Sequence, residues 1–329
     1  MAFGFLSTGE LYALVCAIVW AIAIILFRIG GRQVSPLVLS LFKSSVGLVL
    51  FLITLPLLSV AYFPSHATTR DWVVIAASGI LGVGLADALF FASLNRLGAT
   101  STAILDSLYS PLVVVAAFLY LSEPISWKIL ISMLLMALAV ILGTSQSAGA
   151  AGPKASSNAA PKANSAANPE ATATVRETAS RNARRNTLLV GIALGLGGLA
   201  LMAVSIVILK PVLAHHSAWW VASARLVAGL CVLALLVSPR RYRRELVSTL
   251  RPSKLWKVLL PAGVIGCYLT MITWILGIQL SLASVASILN QSSTVIVLVL
   301  AAVFLHETLT LRKAFAVALA FGGVVLASL

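Results

Sequence analysis

Charge is scarce in this chain of 329 residues: only 10% are Asp, Glu, Lys or Arg, and the acidic ones number 9. Soluble domains carry about a quarter charged residues, so an ordinary water-soluble globule is excluded. Cysteine is scarcer still. Cys16, Cys231 and Cys267 form an odd set without paired spacing, each inside an apolar run, which argues against a disulfide framework or a thiolate metal site. Neither HExxH nor GxSxG occurs, and His215 with His216 lacks the further ligands that zinc requires. The GLGG segment at 195–198 sits inside an apolar run with no strand before it, so it is no phosphate loop. No catalytic constellation, metal site or cofactor is expected, and the chain reads as a non-enzyme. Basic residues are also missing before the first apolar run, which is about 20 residues long, so that run reads as a retained helix and not as a cleaved signal.

What the chain has in quantity is apolar length. Hydrophobic residues make up 60% and the mean hydropathy is +1.05. Apolar segments fall at 10–29, 36–62, 72–94, 99–121, 125–144, 187–209, 217–238, 256–278, 283–305 and 311–328. Each is long enough to cross a bilayer as a helix. The expected fold class is therefore an all-α integral membrane protein with ten transmembrane helices. Residues 145–186, rich in Ala, Ser, Asn and Pro, divide the chain as a flexible linker between five helices in 1–144 and five in 187–329. The net charge of +14 lies in loops between spans, which points to an anionic membrane surface and topology rather than to nucleic acid.

The two halves resemble each other. Displaced by 184 positions, 99–124 lies over 283–308 without a gap, matching Glu123 to Glu307 and Asp106 to Asn290. A displacement of 182 matches Lys43 to Arg225 and Arg28 to Lys210. Charges are rare in such spans, so their coincidence points to duplication. Because each half has an odd number of helices, the second enters the membrane inverted, an architecture of secondary transporters that place their site between the repeats. Basic residues concentrate on one side: Arg28, Arg32, Arg96, six in the linker, the run from Arg240 to Lys257, Arg312 and Lys313. The positive-inside rule makes that side cytoplasmic and puts both termini outside, in a multi-pass protein of a cell (inner) membrane.

Lys43, Asp87, Asp106 and Arg225 fall well inside spans, Arg225 about 12 Å from either helix end at 1.5 Å per residue. A charge at that depth costs at least about 2.5–3.5 kcal/mol, so these four are expected to face partners or a wet cavity. Structural pairing and a substrate cavity are compatible readings of them. Tyr109 shares the helical face of Asp106, and the duplicated helix offers Asn290 and Gln291. Trp20 and Trp274 are mid-span and could wall a pocket, whereas Trp219 and Trp220 sit at a span edge and read as interfacial. Glu123 and Glu307 each precede a following helix and read as caps of its N-terminus. Pro111, read as mid-helix, is a candidate hinge.

The segments SPLVVVAAFLYLSEPISWKILISMLLMALAVILG (110–143) and STVIVLVLAAVFLHETLTLRKAFAVALAFGGVVLAS (293–328) resemble the EamA domains of the drug/metabolite transporter superfamily. Pro111, Glu123 and Glu307 fit that pattern, although Val295 stands where Pro111 would repeat. Arg225, with Lys43 opposite, resembles a basic residue that the family often carries in the second helix of each repeat. The resemblance implies a ten-helix inverted-repeat exporter of small metabolites, many members being assigned to efflux of amino acids and related metabolites. An amino acid's carboxylate would meet Arg225 or Lys43, and its ammonium Asp87 or Asp106. Other solutes (cationic drugs, nucleosides, nucleotide-linked sugars) and a non-transporting scaffold stay open, as does the driving force, be it proton coupling, exchange or the substrate gradient.

Overall fold

The computed structural model describes residues 7–31, 33–97, 102, 105–106, 108–144, 169–304 and, beyond them, 311, 315, 318–319, 322–323 and 326. The described residues are helical with short connections. The helices of eight or more residues are α1 (Thr8–Gly30), α2 (Pro36–Leu57), α3 (Thr69–Leu97), α4 (Tyr109–Leu121), α5 (Trp127–Thr144), α6 (Pro169–Val207), α7 (Ala218–Val237), α8 (Arg240–Leu250), α9 (Trp256–Leu280), α10 (Ala283–Asn290) and α11 (Ser292–Phe304). Six stretches are long and apolar enough to cross a membrane: α1, α2, α3, Arg185–Leu213, α7 and α9. Shorter apolar helices occupy the fourth, fifth and ninth expected spans. Most of the tenth, and Glu307 before it, lie outside the described residues.

Local sequence explains where these helices start. Ser7 and Glu10 form a reciprocal capping box on α1, and Thr68 and Asp71 form another on α3. Pro36 opens α2, at a position where a missing N–H is harmless. α6 begins at Pro169, inside the 145–186 stretch expected to be a flexible linker. Proline at the first helical position, Glu170 beside it and the Ala and Arg that follow all favour a helix there. Residues 145–168 lie outside the described residues.

The packing exchanges helices between the halves. α1 packs on α9 of the second half, and α6, the first helix of that half, packs on α3 of the first. α2 lies against α7, and α4 against α10, so each contact has its counterpart under a two-fold relation. Trp220, expected at the interface, is instead buried at 1% exposure, with its indole N–H donating to the Tyr62 carbonyl at 2.9 Å. On α7 it packs against the α2–α3 connection at Tyr62 and against Trp72 of α3, and a span edge in sequence is there a helix contact in space.

Candidate functional site

Two departures from regular helix shape the centre of the molecule. In α3, residues Gly79–Ala86 form a π-helical turn, in which the Asp87 amide donates to the Gly82 carbonyl. In α9, Val264–Leu269 do the same, with the Thr270 amide reaching Ile265. Such turns widen a helix locally and recur at functional sites. The fourth helix of each half is also broken, by a turn at Leu108 before α4 and at Gln291 between α10 and α11. These breaks are one residue out of register under the 184-residue displacement. Pro111 falls in the first turn of α4 rather than mid-helix, and the second half breaks with Val295 in its place. Proline is thus not what makes the break, and the mid-helix hinge read from the sequence is corrected to a helix start.

The turns and breaks flank a partly open cavity of about 90 Å³ lined by residues of both halves. Eight residues singled out from the sequence line it together: Trp20, Lys43, Asp87, Asp106, Tyr109, Arg225, Trp274 and Asn290. Gln291 does not. It occupies the turn itself, and its amide donates to Thr294 Oγ1 at 3.2 Å. Gly82 and Gly266 also form part of the wall. A Cβ on Gly82 would lie 2.2 Å from Arg225 Nη2, and one on Gly266 would lie 2.2 Å from the Phe27 ring. At Gly82 the group packed against the backbone is thus a guanidinium.

The four charges at the cavity are not equivalent: Lys43, Asp87 and Arg225 are buried and Asp106 is half-buried. Lys43 Nζ donates to Asp87 Oδ2 at 2.5 Å, and the ammonium also lies 5.4 Å from the Phe91 ring and 5.9 Å from the Phe27 ring. That pair neutralises itself. Arg225, only 4% exposed, donates from Nη2 to the neutral Ser205 hydroxyl at 2.9 Å, and among the described residues it has no ion pair. Asp106 likewise has none there, and lies beside the Trp20 indole. Arg225 Nε, Tyr109 Oη and Asn290 Oδ1 are buried without a hydrogen-bond partner among the described residues. Buried polar atoms normally find partners, so three orphans around one cavity, with a cation and a carboxylate that have no ion pair among the described residues, leave a polar wall of both signs facing it.

Glu123 does a different job from the one its sequence position suggests. It follows the left-handed Ser122, and α5 starts only at Trp127, so it does not cap the helix after it. Its Oε1 accepts from Lys210 Nζ at 2.7 Å and the Ala283 amide at 3.0 Å. Oε2 accepts from the Ser284 amide at 3.1 Å and the Ser284 hydroxyl at 2.6 Å. It therefore caps α10, in the other half. Burial alone would push this carboxyl up, but the Lys210 ammonium, the Ser284 hydroxyl and the Ala283 amide hold it below its ordinary value.

Known proteins share this architecture. A family model described as the EamA-like transporter family matches residues 7–144 and again 189–329. Among 28 matching chains of solved structures, one crystal structure superposes with a TM-score of 0.69, covering 97% of this chain and 96% of that one. Its sequence identity is 14%, so the likeness is one of fold. No curated protein matches the chain.

Proposed function

From the chain's membership of the EamA-like transporter family, we propose that this membrane transporter of the drug/metabolite superfamily exports small zwitterionic metabolites, amino acids first among them. The observation that carries the reading is the unpaired Arg225 facing the same cavity as the unpaired Asp106. A solute carboxylate completes the guanidinium, with the fork geometry that favours bidentate contact. Its ammonium is taken by Asp106, with Tyr109 Oη and Asn290 Oδ1 as further partners. Lys43 and Asp87, already paired, hold the shape and charge balance of the wall.

Size agrees with that solute class. A cavity of about 90 Å³, roughly three waters at about 30 Å³ each, admits a small solute and is too small for a nucleotide-linked sugar. Trp20, Trp274 and Met271 supply apolar wall for a side chain. Alternating access follows from rocking one half against the other around this site. The basic loops and linker face the cytoplasm of an inner membrane by the positive-inside rule.

The test is solute flux in proteoliposomes of the purified protein, loaded with labelled amino acids and run with and without a pH gradient. Selective efflux, lost in Arg225→Gln and in Asp106→Asn while both variants remain folded, is the expected result. Full activity in both variants would overturn the site. Movement of cationic drugs or nucleosides in place of amino acids would overturn the substrate class.

A further inference from the structure

Away from the cavity, the most concentrated charge lies on α8. Its residues divide between two faces. On the inner face Tyr242 and Leu246 pack against the core and Thr249 is buried. Glu245, its one acidic residue, accepts from the Ser35 amide at the start of α2. The Trp256 indole donates to the Thr249 carbonyl at 2.8 Å, fixing α8 to the start of α9. The helix is thus held in one orientation, with its only carboxylate turned inward.

On the outer face Arg240, Arg243, Arg244 and Arg251 follow helical spacing and, with Val247 and Ser248, line a groove of about 520 Å³. All four arginines are exposed, and none has an ion pair among the described residues. α8 starts three residues after α7, a membrane-spanning helix, ends at Val237. That connection keeps the guanidinium groups near the level of lipid phosphates. Val247 and Leu250, each more than half exposed, add apolar surface beside them. Basic residues next to a span are drawn to anionic headgroups, and a planar guanidinium pairs with phosphate through two hydrogen bonds.

We propose that the outer face of α8 is a headgroup site for anionic phospholipids. A free phosphate offers the same charge, but it has no acyl chain to lie against Val247 and Leu250, and the adjoining span commits the groove to lipid.

The experiment places purified protein in nanodiscs of phosphatidylcholine with or without phosphatidylglycerol, reading bound lipid by native mass spectrometry and unfolding temperature in parallel. The wild type should retain phosphatidylglycerol preferentially and unfold at higher temperature in its presence. Each arginine removed in Arg243→Gln, Arg243→Gln/Arg244→Gln and the triple variant with Arg251→Gln should weaken that preference by about fivefold. Arg70→Gln, at the opposite end of the molecule, should leave it unchanged. An undiminished preference in the triple variant overturns the proposal, as does an equal loss in Arg70→Gln. Equal stabilisation by inorganic phosphate alone, in discs of phosphatidylcholine, overturns the commitment to lipid.

Discussion

Replacing Glu123 by Gln should unfasten the two halves at one end of the bundle. Each carboxylate oxygen takes two donors, Oε1 from Lys210 and Ala283 and Oε2 from Ser284 twice. A glutamine amide has one oxygen, so its NH₂ faces two donors in either orientation; at the Oε2 position the Ser284 hydroxyl can turn to accept from it, which still strands the Ser284 amide. Each buried donor so stranded costs about 1–3 kcal/mol, and breaking a buried ion pair costs about 3–5 kcal/mol. Lys210 keeps its second bond, to the Ser281 carbonyl at 2.9 Å, which favours the lower part of that range. We expect a loss of about 3 kcal/mol, measured by unfolding in detergent. Lys210→Met should couple to Glu123→Gln by more than about 0.5 kcal/mol in a double-mutant cycle. The same contact predicts an acid limit. The folded carboxyl titrates below its ordinary value, so its contribution is present above the unfolded pKa of about 4.3 and fades as pH falls through the lowered folded value. Wild-type stability for Glu123→Gln, or an acid limit that the variant still shows in full, would refute the reasoning.

Three further expectations follow from the cavity. Gly82→Ala puts a Cβ 2.2 Å from Arg225 Nη2 and 2.4 Å from Ser205 Oγ, so the guanidinium must shift. Transport in proteoliposomes should fall about 10- to 100-fold, the value of one charge-assisted hydrogen bond. Gly197→Ala, where the nearest atom is Leu89 Cδ1 at 3.9 Å, should transport normally. Lys43→Met strands the Asp87 carboxylate and should destabilise by about 3–5 kcal/mol in an unfolding titration, whereas Lys43→Met/Asp87→Leu should recover most of that loss.

Much of the fold was legible because membrane helices announce themselves by length and polarity, and duplicated charges stand out against an apolar background. For the same reason eight of the nine residues singled out for a cavity line one cavity: a charge or an indole at mid-span has few places to go. Gln291 escaped that logic because a turn, invisible in an apolar run, ties its side chain to Thr294 of the following helix. Glu123 was misread for a related reason. A carboxylate before a helix ordinarily caps that helix, and only the three-dimensional neighbourhood reveals α10 as the helix it caps. Pairing was equally hidden. Nothing in the sequence distinguishes Lys43, already neutralised by Asp87, from Arg225, which is not.

The aligned positions Asp106 and Asn290 hold a consequence for how such a site acquires direction. Two identical halves related by a two-fold axis would present every group twice, and a ligand with unlike ends could lie in either sense with equal energy. Once both halves belong to one chain, a single substitution removes that degeneracy. Here one arm carries a carboxylate and the other an amide, so reversing a polar solute end for end exchanges an attraction for a mere dipole contact. Under the proposed function, fusion of the repeats thereby turns a symmetric scaffold into a polarity filter, in which the orientation of the cargo is set before any movement begins.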